Sequence, residues 1–221
     1  MFIAHRLRVA AMSRRRKFAV RAALMLIATG LLQACATTPS PQPDARIQIQ
    51  ENVGFTITEE ARISGSVRAD YEAALTLLEQ GQHDEGVALL EDVAVAAPQF
   101  SAPRIDLGIA YHRAGNLAAA EANLLQAIAL NAEHPIAHNE LGIVYRKTGR
   151  FSLARQSYEA ALAIYPGYHF ARRNLAVLCD LYLQDAACAF ENYEAYMATV
   201  PDDAQASMWI TDLRNRSGQT E

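Results

Sequence analysis

The chain has 221 residues, 51% of them apolar and 20% charged, which is enough to bury a core in one or two domains. Its formal net charge of −4 is unevenly spread. Residues 1–34 carry seven Lys/Arg and no Asp/Glu, leaving 13 basic against 24 acidic side chains from position 35 onward, a net of −11. A body this acidic lacks the basic face that displaces counterions from a phosphate backbone, so a nucleic-acid partner is excluded.

Arg6, Arg8, Arg14, Arg15, Arg16, Lys17 and Arg21 precede an apolar run from Ala22 to Leu32. Eleven residues are too few to span a bilayer as a helix. The order of charge, short apolar stretch and small residues reads as a bacterial export signal over 1–34, with Met12 offering a compact second start. Leu32-Gln33-Ala34-Cys35 then resembles a lipobox. That resemblance implies lipidation of Cys35, cleavage before it and firm anchoring by several acyl chains. Ala36 follows, with no aspartate in the place that marks inner-membrane retention, so the family rule implies an outer-membrane lipoprotein facing the periplasm.

Residues 35–45, rich in Pro, Thr and Ser, are expected to be an extended anchored linker. Over 46–66 the apolar residues Ile47, Ile49, Phe55, Ile57, Ala61 and Ile63 keep period two, which favours extended backbone. No partner strand is visible elsewhere in the sequence. Three readings stand here: an extended arm, a disordered leader, and a short helix around Thr58–Arg62.

From residue 67 the chain repeats every 34 residues. With residue 101 as position 1, position 8 reads Ala74, Gly108, Gly142 and Ala176, and position 15 reads Gly81, Gly115, Gly149 and Leu183. Position 20 reads Gly86, Ala120, Ala154 and Cys188. The units fall at 67–100, 101–134, 135–168 and 169–202. Small residues at 8 and 20 mark a close helix crossing, and glycine at 15 suits a left-handed helix cap. Pro135 fits a first helical turn, Pro98 and Pro166 follow second helices, and Ser66 is expected to cap the first helix. The clearest copy, 135–168, carries Leu141-Gly142, Tyr145, Gly149, Phe151, Ala154, Tyr158, Ala161 and Pro166. It resembles a tetratricopeptide repeat, a 34-residue helix–turn–helix. The resemblance implies an all-α solenoid of about four repeats. The fourth unit lacks the turn glycine and meets Pro201 one residue late, so one extra residue is expected near Gln184–Ala187. Residues 203–221 would supply a capping helix and tail, with Met208, Trp209 and Leu213 on its packed side, because a terminal repeat must cover its last apolar face.

Cys179 and Cys188 occupy motif positions that face one another across the helical hairpin. In an oxidising periplasm, with Cys35 acylated, they form an even pair. Either a disulfide or two buried thiols fits. The bond would close a ten-residue loop, contributing about 2.7 kcal/mol on the chain-entropy model. A zinc cluster lacks ligands. His134 and His138 are four apart, but Pro135 intervenes and no HExxH glutamate accompanies them. No nucleophile elbow, phosphate loop or dinucleotide fingerprint is present. No enzyme, metal or cofactor is therefore expected.

In tetratricopeptide arrays the first helix of each repeat lines a concave groove, mainly through positions 2, 5, 9, 12 and 13. The resemblance carries these positions to an apolar stripe of Leu75, Ile109, Ile143 and Val177. Tyr71, Ile105, Asn139 and Arg173 stand at position 5, Phe170 at position 2, and His112, Arg113, Arg146 and Lys147 at positions 12 and 13. Cations around an apolar channel imply a protein or peptide segment with apolar and acidic side chains. Bacterial tetratricopeptide-repeat lipoproteins act as assembly factors for type IV or tight-adherence pili and secretins. Others act as adaptors for periplasmic proteases or peptidoglycan enzymes. An accessory role in a TonB-type energy-transducing system is a further alternative.

Overall fold

The structure is a computed structural model that describes residues 45–50, 54–59 and 63–218. The export signal, Cys35 and the linker up to residue 44 lie outside the described residues. Strands β1 (Ala45–Gln50) and β2 (Gly54–Glu59) form an antiparallel hairpin that sets Ile47 opposite Ile57 and Ile49 opposite Phe55. The period-two stretch thus has a partner after all: its two halves pair with each other, at a range too short to look like a separate strand in the sequence.

Eight helices follow as four antiparallel pairs: α1 (Gly65–Glu79) with α2 (His83–Ala96), α3 (Ser101–Arg113) with α4 (Leu117–Leu130), α5 (Pro135–Lys147) with α6 (Phe151–Ile164), and α7 (His169–Leu178) with α8 (Ala186–Thr199). A ninth, α9 (Ala204–Ser217), packs on α8. Ser64, not Ser66, caps α1, its hydroxyl accepting from the Val67 amide at 3.2 Å. Ser66 falls inside the first turn, where its side chain no longer points back at the free amides.

The crossing within each of the first three pairs depends on a missing side chain. A Cβ built on Gly108 would stand 2.5 Å from Leu124 Cγ, and one on Gly142 would stand 2.5 Å from Tyr158 Cε1. Leu124 and Tyr158 are wholly buried. They pack on glycine backbone, so the helices approach more closely than any β-carbon allows. In the first pair the glycine moves to the other helix, where Gly86 faces Leu78 and Ala74. The pairs stack into two apolar clusters. One runs from Tyr71 to Leu107, the other from Ile105 to Leu213, and Tyr111 packs against both.

The fourth pair shows where its extra residue goes. In the second, Arg104 donates to Asn123, 19 residues on; in the fourth, Arg172 donates to Asn192, 20 residues on. The surplus is absorbed one turn before the expected place, as a π-turn over Cys179–Leu183 that widens the end of α7. The chain then turns at Gln184, whose φ of +54° replaces the φ of +81° at Gly115 and +75° at Gly149. Cys179 and Cys188 are joined by a disulfide that ties this turn to α8 across a Cα separation of 5.9 Å. Ion pairs bridge successive repeats. Arg150 forms a fork on Glu121 of the preceding pair, and Arg155 reaches Asp185 of the following one at 3.2 Å. The two bridges join equivalent sites with the signs exchanged.

Helix α9 buries Ala206, Ile210 and Leu213, with Trp209 half-buried against Tyr193. Met208 was expected on the packed side but is 65% exposed, because the 3.6-residue period that carries 206, 210 and 213 inward turns 208 out.

Two measurements test this account. Gln184→Gly removes a side chain from left-handed backbone and should add about 1 kcal/mol, read as a Tm rise of a few degrees. Gly142→Ala should cost about 1–3 kcal/mol in urea unfolding, since the Tyr158 ring has nowhere to retreat within a packed core.

Candidate peptide groove

Helix α5 touches both α3 and α7, and Tyr71 of α1 bonds Asp106 of α3, so the first helices of the repeats form one continuous wall. Ile109, Ile143 and Val177 are half-buried, their inner edges packed on the larger core and their outer edges exposed along this wall. Leu75 plays the same part on the smaller core. Arg113 and Lys147 are exposed at the ends of α3 and α5.

Three expected groove residues are not available to a ligand. Tyr71 is wholly buried, its ring edge-on to Phe100 at 5.3 Å and its hydroxyl donating to Asp106. Ile105 is wholly buried, and Asn139 is 2% exposed. Position 5 faces the next repeat rather than the open groove, so a stacked neighbour covers it.

That neighbour contributes position 6, which reads Glu72, Asp106, Glu140 and Asn174. Tyr71 donates to Asp106 at 2.5 Å, and Asn174 donates to Asn139 at 2.9 Å. Each pair is 35 residues apart and joins position 5 of one repeat to position 6 of the next. At the middle seam the same place pairs Ile105 with Glu140, and Ile105 has no donor to give. The hydrogen bond to Glu140 comes instead from its chain neighbour, Asn139 Nδ2, at 3.1 Å. Burial pushes the Glu140 carboxyl up to about 7, against the opposing pull of the Asn139 hydrogen bond and the Arg113 charge.

His112 Nδ1 lies 4.0 Å from Glu140 Oε2. Burial lowers the pKa of His112, and Lys147, Arg113 and Arg146 lower it further, so the imidazole is neutral at pH 7. Its Nε2 is buried without a hydrogen-bond partner. Arg146 is half-buried over the Tyr182 ring at 5.7 Å and lies beside the Tyr158 hydroxyl, which burial raises to about 12. Arg173 sits over Trp209 at 5.2 Å, and Phe170 is 36% exposed beside His169 at 4.1 Å. Arg113 and Lys147 are thus exposed at the ends of their helices, and Arg146 and Arg173 are braced on aromatic rings.

Glu140, Asn174, Tyr158 and Tyr182 were missed in the sequence. The signal was present, because position 6 is polar in all four repeats. A polar residue kept beside a buried position implies a hydrogen bond across a seam.

A second cleft of about 340 Å³ lies between α2 and α3, over Leu78, Val87, Ala88 and Ala110. Of the expected groove residues it touches only Arg113. Among the described residues, Cys179, Asp185 and Cys188 are the group whose ligand atoms converge within 4.8 Å. The two sulfurs are bonded to each other, and Asp185 accepts from Arg155 and the Cys188 amide, so none offers a free ligand atom. His134 is buried just before α5, and His138 Nε2 contacts the Ala132 carbonyl at 2.9 Å.

Residues 71–122 and 105–169 match the tetratricopeptide-repeat family. No curated protein matches the chain. Among solved structures, MamA from Desulfovibrio magneticus RS-1 is 19% identical, with a TM-score of 0.63 over 70% of this chain and 87% of that one. Pseudomonas aeruginosa PilF is 17% identical, with a TM-score of 0.64 over 70% of each chain. The first tetratricopeptide domain of Spaghetti (RPAP3), bound to the HSP90 peptide SRMEEVD, is 23% identical, with a TM-score of 0.52 over 53% of this chain and 94% of that one. At such identities the likeness carries the fold alone. Residues 71–169 thus match the tetratricopeptide-repeat family, and the helices form an all-α tetratricopeptide-repeat solenoid.

Proposed function

We propose that the protein is a non-enzymatic scaffold, anchored through Cys35 to the outer membrane and facing the periplasm. Its groove holds a segment of a partner in an envelope assembly machine, with pilus or secretin assembly as the favoured client. The observation that carries the reading is the wall of first helices, where Arg113 and Lys147 stand exposed beside half-buried Ile109 and Ile143 on an otherwise acidic protein. An apolar and acidic segment matches both features. The acidic peptide held by the Spaghetti domain supports the same ligand chemistry. The lipobox resemblance supports the anchor, and the resemblance to tetratricopeptide-repeat lipoproteins supports the client class.

Arg146 and Arg173 are braced on aromatic rings, so reversing their charge would disturb packing as well as binding. Lys147, exposed at the end of α5, is a cleaner probe, and Arg113 is paired with it. Arg113→Glu with Lys147→Glu should abolish a secretin or pilus-assembly protein crosslinked to the wild-type chain in membranes, while helical circular dichroism is unchanged. Cys35→Ser should move the chain from the membrane to the soluble fraction. Undiminished crosslinking in the charge-reversed variant, or a soluble wild type, would overturn the reading. A protease or cell-wall enzyme as the crosslinked species would replace the client with the adaptor role.

A further inference from the structure

The cleft between α2 and α3 lies at the first seam between repeats, and the two later seams are closed by ion pairs. At the second, Arg150 forks on Glu121 and lays its guanidinium over the Tyr145 ring at 4.4 Å. At the third, Arg155 reaches Asp185 at 3.2 Å. One repeat before Glu121, Arg150 and Tyr145, the same places are held by Val87, Asn116 and Tyr111. The ring is kept and both charges are gone. Asn116 turns its side chain to the Ala119 amide, capping α4 instead of reaching across the seam. Residues 115–130, the turn and α4 together, contain no Lys or Arg. The first seam therefore has the tyrosine on which an arginine rests at the second, and no arginine in the place of Arg150.

The walls of the cleft suit a cation. Asp84, Val87, Ala88 and Glu91 follow the spacing i, i+3, i+4 and i+7, so one face of α2 lines it with a carboxylate at each end and apolar side chains between. Glu91 stands one helical turn beyond Val87, which holds the place of Glu121. It accepts from the Tyr111 hydroxyl, which fixes the carboxylate beside the ring. One such bond leaves most of its acceptor capacity open. Leu78 and Ala110 complete the apolar floor. Arg113 and His83 also border the cleft, and Arg113 is engaged within the chain. The wider field is negative, because residues 67–100 carry seven acidic side chains against Arg68 alone.

We propose that this cleft takes an arginine of a partner protein, presented beside a large apolar side chain. The guanidinium lies over Tyr111 and bonds Glu91, as Arg150 lies over Tyr145 and bonds Glu121. The apolar neighbour covers Val87, Ala88 and Ala110. The chain supplies this arginine to itself at the second seam and leaves it to a partner at the first. Arginine is favoured over lysine, because a planar guanidinium stacks on a ring and bonds a carboxylate at once. The site is distinct from the groove, does not rest on the reading of it, and takes a segment of the opposite charge.

The test uses the full chain and fluorescein-labelled octapeptides alternating Leu with Arg, Lys or Gln, followed by anisotropy. Wild type should bind Leu/Arg about tenfold more tightly than Leu/Gln, with Leu/Lys between them. Glu91→Gln should weaken Leu/Arg binding about tenfold. Glu85→Gln removes an exposed carboxylate of the same helix outside the cleft and should leave binding unchanged. Val87→Glu with Asn116→Arg rebuilds the pair of the second seam at the first. Its own guanidinium should fill the cleft and abolish Leu/Arg binding with helical circular dichroism intact. Arg150 stands at the same position before α6 without a side-chain cap, so the fold accepts arginine there. Equal binding of the three peptides, or undiminished Leu/Arg binding in both Glu91→Gln and the double variant, overturns the proposal. A wild-type chain that dimerises in sedimentation equilibrium, with a double variant that does not, overturns the partner segment in favour of a second copy.

Discussion

Everything in this molecule depends on how closely two helices can approach. Gly108 and Gly142 leave out the one atom that would hold Leu124 and Tyr158 away. With that contact made, each pair becomes a flat wedge whose apolar edge must be covered by the next wedge. Stacking therefore follows from an incomplete unit rather than from any long-range signal. The inner helices end up side by side, and a groove results from the geometry without any residue having been placed to make one.

The stack is not uniform, and its irregularities are concentrated where specificity is needed. Repeat three carries arginine at both of its linking sites, Arg150 and Arg155, while its neighbours carry Glu121 and Asp185. These part-exposed pairs bridge repeat three to both of its neighbours. The fourth repeat has one residue too many. A π-turn takes it up, Gln184 accepts a backbone conformation usually left to glycine, and the Cys179–Cys188 bond holds the altered turn against α8. Beyond it, α9 closes the apolar end with Ala206, Ile210 and Leu213.

Much of this was legible in the residues. A 34-residue period with small residues at two positions and glycine at a third leaves little choice but paired helices, and Pro135 lies at the first turn it suited. The surplus residue was visible too, because Pro201 arrives late. Its location was not, since a π-turn spreads the insertion over a helix end with no composition of its own. Tyr71, Ile105 and Asn139 were placed in the groove because a motif position specifies an angle around one helix. Whether that angle is open or covered depends on the neighbouring repeat. Glu140 was overlooked for the complementary reason. Its state is set by burial between stacked repeats, which no local pattern reports.

The central claim is that partners are held on the concave wall, at the seam between α3 and α5. Site-specific photocrosslinking in cells tests it most directly, with p-benzoylphenylalanine placed at Ile143 on the inner wall or at Leu125, which is 45% exposed on outer helix α4. The account predicts a discrete protein adduct from position 143 and none from position 125. Adducts from 125 with none from 143 would contradict it.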